Sequence, residues 1–463
     1  MELQYGIVDD KGNEIIKCIY DELNKIHDGH FIAKRGSKYG VIDSLNNLLI
    51  DCNYTGITNF QEDLLLAENY DKKEYIFFDK SFKEKIKLNV ESCGEFSDGM
   101  SWIQKDGNFG YINSQGEIII ECQFYECGNF KNGNAWVKNA KNEFALIDKK
   151  GQIVVDYFYA EDILDFRKVP FKSNHAIIVS RNDNNLKQYD LLEKNASIEN
   201  GQPAVFNEEA FDGVRLFENN TAIVKNLGKW YIFDLEEAII IGDAFDLITD
   251  DQLKYEELVE PFQNCDIAFA LLDGKAGIIN QKGKLITDFN FDIFRPFKNG
   301  YACVGVKNGI TELWGIIDDS GKLICDIKYT NVTNFNELYA CVCKKISTSY
   351  KWGFIDKNGN EVSDFIYLNS AKFSESKCCI KIEVQNSIHW HLIDNKFNII
   401  QITEFDENYE IGAFNDGIAK ITNLKNEKSG YINTAAKLIT KIQYDTYKSY
   451  SFSKESQIVI VAK

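Results

Sequence analysis

The side chains that could carry chemistry are few, and most of them lie on predicted strands. His389-Trp390-His391 places two imidazoles two positions apart, so on a strand both point to the same face. Two imidazoles and a carboxylate can hold a metal ion such as Zn²⁺. The sequence assigns no third ligand, so packing within the protein is the simpler interpretation of this pair.

Two cysteine pairs also resemble metal-binding pairs. They are Cys378-Cys379 and Cys341-x-Cys343, in a chain with 12 cysteines and no Cys-x-x-Cys. Adjacent or alternating cysteines on a strand are more typical of packing, where the thiol acts as a small apolar group. Reduced thiols are expected for a large cytosolic chain.

Sequence signatures of catalysis are absent. The chain has no Gly-x-Ser-x-Gly, no Gly-x-x-x-x-Gly-Lys-Ser/Thr and no repeated Asp-box. Carboxylate pairs are common among 70 acidic residues and predict no group with a raised pKa. These pairs are interpreted as solvated loop: Glu208-Glu209, Asp250-Asp251, Glu256-Glu257 and Asp318-Asp319. We therefore predict no catalytic, cofactor-binding or metal-binding residue and expect that the protein is not an enzyme.

One repeated unit supplies the elements that position these residues. Its first half is an aromatic residue followed seven positions later by Val or Ile, as in Phe130-Lys-Asn-Gly-Asn-Ala-Trp-Val137. Its second half is aromatic-Gly-apolar-apolar-Asp, as in Trp352-Gly-Phe-Ile-Asp356. The last position of this half recurs at Asp9, Asp43, Asp79, Asn113, Asp148, Glu193, Asp234, Asn280, Asp318, Asp356, Asp394 and Asn433. Self-similarity at this period indicates a repeat architecture.

Each unit predicts short antiparallel strands joined by defined turns. The aromatic and β-branched run Lys351–Asp356 is typical of a strand. Asp356 to Gly359 predicts a turn in which the carboxylate bonds the backbone two residues on and glycine supplies a positive φ. Another strand follows the turn, and a third follows the motif Phe. Three or four strands per unit match the blade of a β-propeller.

This pattern resembles the WG-repeat (KWG-repeat) family of bacterial proteins. Trp352-Gly353 and Trp314-Gly315 carry the defining pair, and Tyr5-Gly6 is an aromatic-Gly version. The resemblance covers almost the whole chain. It implies an all-β fold of about twelve WG-type repeats that form propeller-like antiparallel blades, and it implies a binding surface. Units without the glycine are expected to pack less closely: Tyr75-Ile76, Phe144-Ala145, Tyr189-Asp190, Trp230-Tyr231 and Trp390-His391.

The repeat spacing suggests how the chain is organised. Residues 1–180 hold repeats 1–5, residues 181–228 hold an irregular sixth repeat and a possible seam between lobes, and residues 229–463 hold repeats 7–12. Residues 245–261 form an insertion of helix-like composition. Because a closed propeller usually has 4–8 blades, two lobes of propeller-like blades are favoured, and one open, curved array remains an alternative.

The net charge of the chain indicates which classes of partner it can bind. A net charge of −18 disfavours direct binding of nucleic acid or an anionic membrane and favours a basic or neutral protein. No signal peptide or membrane-spanning run is present, so a cytoplasmic location is expected.

Two functional hypotheses follow. The first is a non-catalytic repeat scaffold that mediates protein–protein interaction within a larger bacterial complex. Residues 181–216 and 245–261 would then face the partner or join the lobes, because they alone depart from the repeat. The alternative is a small-molecule or glycan binding protein, or a hydrolase, with an acidic central cavity. A cavity lined by convergent carboxylates and exposed aromatic rings would favour the alternative.

The two ends of the chain read as complementary halves of one hairpin. Tyr5–Asp9 lacks a preceding third strand, and Gln457–Ala462 is a third strand without a follower. An unpaired apolar edge is an aggregation liability that proteins usually cover. We therefore expect these two strands to pair and close the array.

The motif aromatics yield the first testable prediction. Phe130, Phe297, Phe335, Phe373 and Phe414 are expected to be buried. Replacing one of them, as in Phe130→Ala, should lower the free energy of unfolding by about 3–5 kcal/mol, because a large buried ring leaves a cavity. Denaturant titration measures the loss. Rings exposed to solvent at most of these positions would contradict the proposed register.

Overall fold

Antiparallel sheet dominates the chain. The structure, a computed structural model, describes residues 3–9, 12–26, 29–167, 171, 174–181, 185–194, 196–199, 201–203, 210–217, 220–249, 262, 266–415, 417–445 and 458–462. Within them lie twelve sheets of three or four strands, a two-stranded ribbon and the short 3-10 turn Tyr70–Lys72. The predicted all-β fold of propeller-type blades is confirmed.

Blades are numbered here in chain order, with the blade that contains Tyr5–Asp9 as blade 1. Blades 2 to 7 consist of these strands: Glu22–Lys25, His30–Arg35, Lys38–Asp43 and Leu48–Tyr54; Gly56–Ile57, Leu65–Asn69, Glu74–Phe78 and Glu84–Asn89; Ser92–Cys93, Met100–Lys105, Asn108–Asn113 and Ile118–Phe124; Glu126–Cys127, Asn134–Lys138, Glu143–Asp148 and Ile153–Tyr159; Asp162–Ile163, His175–Arg181 and Lys187–Glu193; Gly213–Leu216, Thr221–Asn226, Lys229–Asp234 and Ile239–Phe245.

Blades 8 to 12 repeat the same order. Their strands are Leu247–Thr249, Ile267–Leu272, Lys275–Asn280 and Leu285–Phe291; Ile293–Phe294, Tyr301–Asn308, Thr311–Asp318 and Leu323–Tyr329; Asn331–Val332, Tyr339–Ile346 and Ser349–Asp356; Lys377–Val384, Ser387–Asp394 and Ile399–Asp406; Tyr409–Ile411, Ile418–Asn423, Lys428–Asn433 and Tyr444–Asp445. The ribbon, Ile198–Glu199 with Gln202–Pro203, follows blade 6.

Blade 1 is assembled from both ends of the chain. Tyr5–Asp9 pairs with Glu14–Tyr20 on one side and with Ile458–Ala462 on the other. The second pairing is antiparallel and continuous, with Val8 opposite Val459. The expectation that the two ends pair is confirmed.

The chain divides into two compact units. One comprises Met1–Leu23, Ser44–Asn46 and Phe245–Lys463, and the other comprises Asn24–Asp43 and Asn47–Ala244. The domain boundaries predicted at residues 180 and 228 stay predictions. Within the insertion 245–261, residues 250–261 lie outside the described residues.

A central strand buries both of its faces. In blade 4, Tyr111 packs in a cluster with Phe130 of blade 5, whereas its neighbour Ile112 packs in a cluster with Phe77 of blade 3. Successive side chains of a strand point to opposite faces, so consecutive apolar residues serve two neighbouring blades. This explains why the aromatic-Gly strands read as unbroken apolar runs.

The motif aromatics lie in these cores, as predicted. Each of the five motif phenylalanines is at most 2% exposed: Phe130, Phe297, Phe335, Phe373 and Phe414. The register deduced from the sequence is therefore confirmed.

The glycine of the aromatic-Gly pair lies beneath a bulge of the outermost strand. In blade 4, Phe109 pairs with Phe124 and Tyr111 pairs with Ile120. Between these two pairs the inner strand has one residue, Gly110, and the outer strand has three, so the outer strand bulges. A Cβ atom at Gly110 would lie 2.4 Å from the Ile120 carbonyl oxygen. The pair requires glycine because backbone crosses the place where a side chain would stand.

Blade 3 shows what happens when this glycine is replaced. Ile76 occupies the glycine position. Three consecutive residues of the outer strand pair with Tyr75, Ile76 and Phe77, so the strand has no bulge there. Both Tyr75 and Ile76 are buried. The expectation of looser packing is therefore wrong for this blade, because a straighter outer strand leaves room for the side chain.

The predicted Asp turns are present. The Asp356 carboxylate accepts hydrogen bonds of 2.9 Å from the backbone N–H groups of Asn358 and Asn360, and Gly359 has a φ of 82°. Asn113 does the same for the N–H groups of Gln115 and Glu117. Either side chain closes the turn, so the charge is not needed for its geometry.

The turns that follow the motif Phe join successive blades. Glu62 accepts a 2.8 Å hydrogen bond from the backbone N–H of Gly99 in the next turn, and Asp98 accepts one of 2.6 Å from Gly133. The same bond recurs between Glu337 and Ser376 and between Glu375 and Gly417. A charge-assisted bond to a backbone N–H is among the stronger hydrogen bonds, so these turns fix the spacing of neighbouring blades.

The bulge over Gly110 predicts that a methyl group added at this position destabilises the protein. Gly110→Ala should lower the free energy of unfolding by about 1–3 kcal/mol, because overpacking forces the backbone apart. Gly412→Ala is the control, since its Cβ would lie 3.7 Å from the nearest atom, the Lys420 carbonyl oxygen. Denaturant titration compares the two variants. An equal loss in both would contradict the role of the bulge.

The Asp turn predicts a pH-dependent contribution. Burial raises the pKa of Asp356, but hydrogen bonds from Asn360 and Asn358 outweigh it, so the pKa lies below its ordinary value. Its stabilisation is then present above the unfolded-state pKa of about 3.9 and is lost as pH falls through the folded-state pKa.

Asp356→Asn should keep the turn, whereas Asp356→Ala should lose about 1 kcal/mol at pH 7 with its hydrogen bonds. Urea unfolding at pH 7 and at pH 3 measures both variants. The difference between the wild type and the Asn variant should shrink at the lower pH. A difference that is constant with pH would contradict the argument.

Candidate functional site

The histidine pair does not gather a metal-binding set. Only 3% of His391 is exposed, and its Nδ1 atom has no hydrogen-bond partner. Burial, followed by the nearby His389, lowers the pKa of His391. The described residues contain no group of three His, Cys, Asp or Glu side chains placed to hold a metal ion. His391 is a neutral ring in the glycine position of blade 11.

The cysteine pairs are core residues. Cys341 and Cys378 pack in one cluster between blades 10 and 11, and burial raises the pKa of the Cys341 thiol to about 12. All cysteines in the described part of the chain are free thiols. Because metals bind the thiolate, such protonated thiols favour the packing interpretation.

Of the four carboxylate pairs named from the sequence, Asp318-Asp319 lies within the described residues, and Asp318 has no raised pKa. Burial raises the pKa of Asp318, but hydrogen bonds from Ser320 and Lys322 outweigh it and leave the pKa low. The pairs Glu208-Glu209, Asp250-Asp251 and Glu256-Glu257 lie outside the described residues.

Blade 6 departs from the common plan. The step from the fifth motif position to the residue that pairs with the motif aromatic is eleven residues from Asn113 to Phe124 but eighteen from Glu193 to Phe211. Within the described residues blade 6 has three strands, and Phe211 joins it by an isolated bridge to Tyr189. The ribbon lies instead against blade 5, where Gly201 accepts a 3.4 Å hydrogen bond from the Tyr159 N–H.

This departure opens a cleft of about 760 Å³ between blades 5 and 6, called here the blade-6 cleft. Its polar lining comes from Glu161, Ser180, Arg181, Asp190 and Gln202. Ile178, Ala160 and Pro203 supply apolar wall, and Tyr159 stands at its edge. The volume is that of a ligand-binding pocket.

Arg181 is held within the cleft by its own neighbours. Its Nε atom lies 2.8 Å from a Glu161 carboxylate oxygen, and its guanidinium donates a 2.9 Å hydrogen bond to the Asn185 carbonyl oxygen. The Arg181 charge is therefore neutralised locally, and its side chain is fixed in orientation.

Asp190 is the exceptional residue of the cleft. It occupies the glycine position of the aromatic-Gly pair. Burial raises its pKa, and the hydrogen bond from Ser180 only partly opposes this. That bond is long, 3.5 Å from the Ser180 hydroxyl oxygen to a carboxylate oxygen. Asp190 is thus a partly desolvated acceptor at the wall of an open cleft.

A second surface feature lies on the outer strands. Several begin with two consecutive exposed apolar side chains, followed shortly by an exposed acid. The sets are Ile118, Ile119 and Glu121; Ile153, Val154 and Asp156; Ile239, Ile240 and Asp243; Ile399, Ile400 and Glu404. Exposed apolar groups of this kind mark interaction surfaces when they recur in a pattern.

Sequence reasoning found the irregular repeat but neither of these features. The available indications were an aspartate in a glycine position and the lengthened step to Phe211. The described part of the chain contains no helix with the length and apolar character of a membrane span.

The chain matches a known repeat family and resembles several solved structures. It matches the WG containing repeat in eight segments, residues 5–39, 39–72, 77–109, 109–142, 210–230, 277–309, 314–345 and 352–383. No curated protein matches the chain.

Three solved structures illustrate the likeness. The tricorn protease is 11% identical with a TM-score of 0.26, over 86% of this chain and 46% of that one. The eukaryotic initiation factor is 10% identical with a TM-score of 0.32, over 82% and 97%. KlHsv2 with loop 6CD replaced by a Gly-Ser linker is 11% identical with a TM-score of 0.22, over 73% and 91%. The chain spans less than half of the tricorn protease chain, and none of these likenesses carries a functional argument.

The eight repeat matches together cover more than half of the sequence. They coincide with blades whose aromatic-Gly strands and Asp turns have been described above. The chain therefore belongs to the WG-repeat family.

Proposed function

We propose that this protein is a non-catalytic scaffold that binds another protein through the outer strands of its blades. The observation that carries the proposal is the recurring set of two exposed apolar side chains and an acid at the start of these strands. A partner with an apolar face and basic residues matches that set. The net charge of −18 favours such a partner over nucleic acid or an anionic membrane.

The size of the apolar contribution indicates how the partner must bind. Ile118, Ile119, Ile153 and Val154 are exposed to 47%, 43%, 51% and 40%. Full burial of such a side chain contributes about 1.5–3 kcal/mol, so covering these four contributes roughly 3–6 kcal/mol. Association costs about 4–15 kcal/mol. A stable complex therefore needs ion pairs with the acids, or contacts to further blades.

The blade-6 cleft favours a second candidate, the binding of a small molecule. Carboxylates, an arginine, an amide and an exposed tyrosine edge are the kinds of group that fix a polar ligand. The cleft lies between two blades, so it differs from the acidic central cavity considered from the sequence. Whether the chain also catalyses a reaction is a separate question, for which a panel of glycan substrates is the direct assay.

The outer-strand proposal is tested by replacing the apolar pairs. A variant with Ile118→Thr, Ile119→Thr, Ile153→Thr and Val154→Thr keeps β-branched residues on both strands, so the blades should fold. Purified wild type and variant are used to capture proteins from a lysate of the producing organism. We expect a stoichiometric partner on the wild type and at least a tenfold lower yield on the variant.

Leu45→Ser with Leu227→Ser is the matched control, since these side chains are 72% and 90% exposed but lie in turns outside the strands. It should capture the partner as the wild type does. Capture that is equal on all three proteins, or no stoichiometric partner at all, would refute the outer strands as the binding surface.

A further inference from the structure

We infer that the blade-6 cleft binds a primary ammonium group at Asp190, from a free alkylamine or from a lysine side chain. This goes beyond the proposed scaffold function, because it concerns a different surface and does not depend on the outer strands.

Among the described residues that line the cleft, the charges do not cancel. Glu161 and Arg181 form an ion pair of 2.8 Å, so together they contribute no net charge. No ion pair to Asp190 occurs among the described residues, and the Ser180 hydroxyl at 3.5 Å is a long hydrogen bond. A partly buried carboxylate without a cation costs free energy. A ligand cation recovers part of that cost.

The acceptors favour an ammonium group over a guanidinium group. An ammonium carries three donors that diverge from one nitrogen, whereas a guanidinium is a planar fork suited to a single carboxylate. Asp190, Ser180 and Gln202 offer a carboxylate, a hydroxyl and an amide oxygen around one space. Ile178 and Pro203 line the same space, so an alkyl stem meets apolar wall.

The repeat shows how unusual an aspartate is at this position. At Gly110 of blade 4 the outer strand passes so close that a Cβ atom would meet backbone at 2.4 Å. In blade 6 the same position holds Asp190, whose carboxylate lines the blade-6 cleft. The charge therefore lies in the cleft at a position that most repeats fill with glycine.

Calorimetric titration of the full chain with small probes tests the inference. The probes are n-butylammonium, 1,5-diaminopentane and Nα-acetyl-lysine methylamide. Their uncharged counterparts are n-butanol, 1,5-pentanediol and the Nε-acetylated lysine compound. We expect at least one ammonium probe to bind and its counterpart to bind at least tenfold more weakly. Tighter binding of the lysine compound indicates a protein source, and tighter binding of the diamine indicates a free amine.

Two substitutions locate the binding at Asp190. Asp190→Asn removes the charge at constant size, and Asp190→Gly restores the residue that most repeats hold there. Each should weaken the ammonium probe at least tenfold. Because burial already disfavours the charged form of Asp190, neither change should lower the thermal unfolding midpoint at pH 7 through loss of charge, and circular dichroism verifies the fold.

Asp106→Asn makes the same change of net charge at an exposed turn of blade 4 and should leave binding unchanged. Equal binding of charged and neutral probes, binding that survives both Asp190 variants, or no binding at millimolar probe would each overturn the inference. Loss of partner capture by the outer-strand variant bears on the scaffold proposal alone, so the two proposals can fail separately.

Discussion

The burial of both faces of a blade's central strand is the constraint on which the packing of neighbouring blades depends. Asn108–Asn113 sends alternate side chains into two different cores, so blade 4 is not complete without blades 3 and 5. The same need applies to blade 1, where Val8 shares a core cluster with Tyr431 of blade 12. The C-terminal strand supplies the partner that Tyr5–Asp9 would otherwise lack.

The residue in the glycine position of the aromatic-Gly pair differs between blades. Where this position holds glycine, as at Gly110, the outer strand bulges across it. Where it holds Ile76, the outer strand runs straight, and where it holds Asp190, the described part of blade 6 has no strand over it. A small residue accompanies a bulge at Ala145 as at Gly110, and a large one accompanies a straight outer strand in blade 3.

Some features of this structure could be predicted from the sequence, and others could not. The strand order, the Asp turns and the buried motif rings follow from local rules, since period, turn chemistry and apolar runs all agree. The cleft is lined in part by Gln202 and Pro203 of the ribbon, whose position against blade 5 no local rule specifies. The exposure of Ile118 and Ile119 was also hidden, because an apolar pair after a turn glycine reads like the start of a buried strand.

The outer strands combine two properties that are hard to reconcile in a protein without a partner. Exposed apolar side chains beside a free strand edge invite association with any similar edge. The acids that follow them, such as Glu121 and Asp156, are exposed and oppose contact between two copies of this chain by like-charge repulsion. The same acids attract a basic surface. In the proposed scaffold, charge therefore disfavours self-association and favours a basic partner, while the apolar pairs supply the contact area that charge alone lacks.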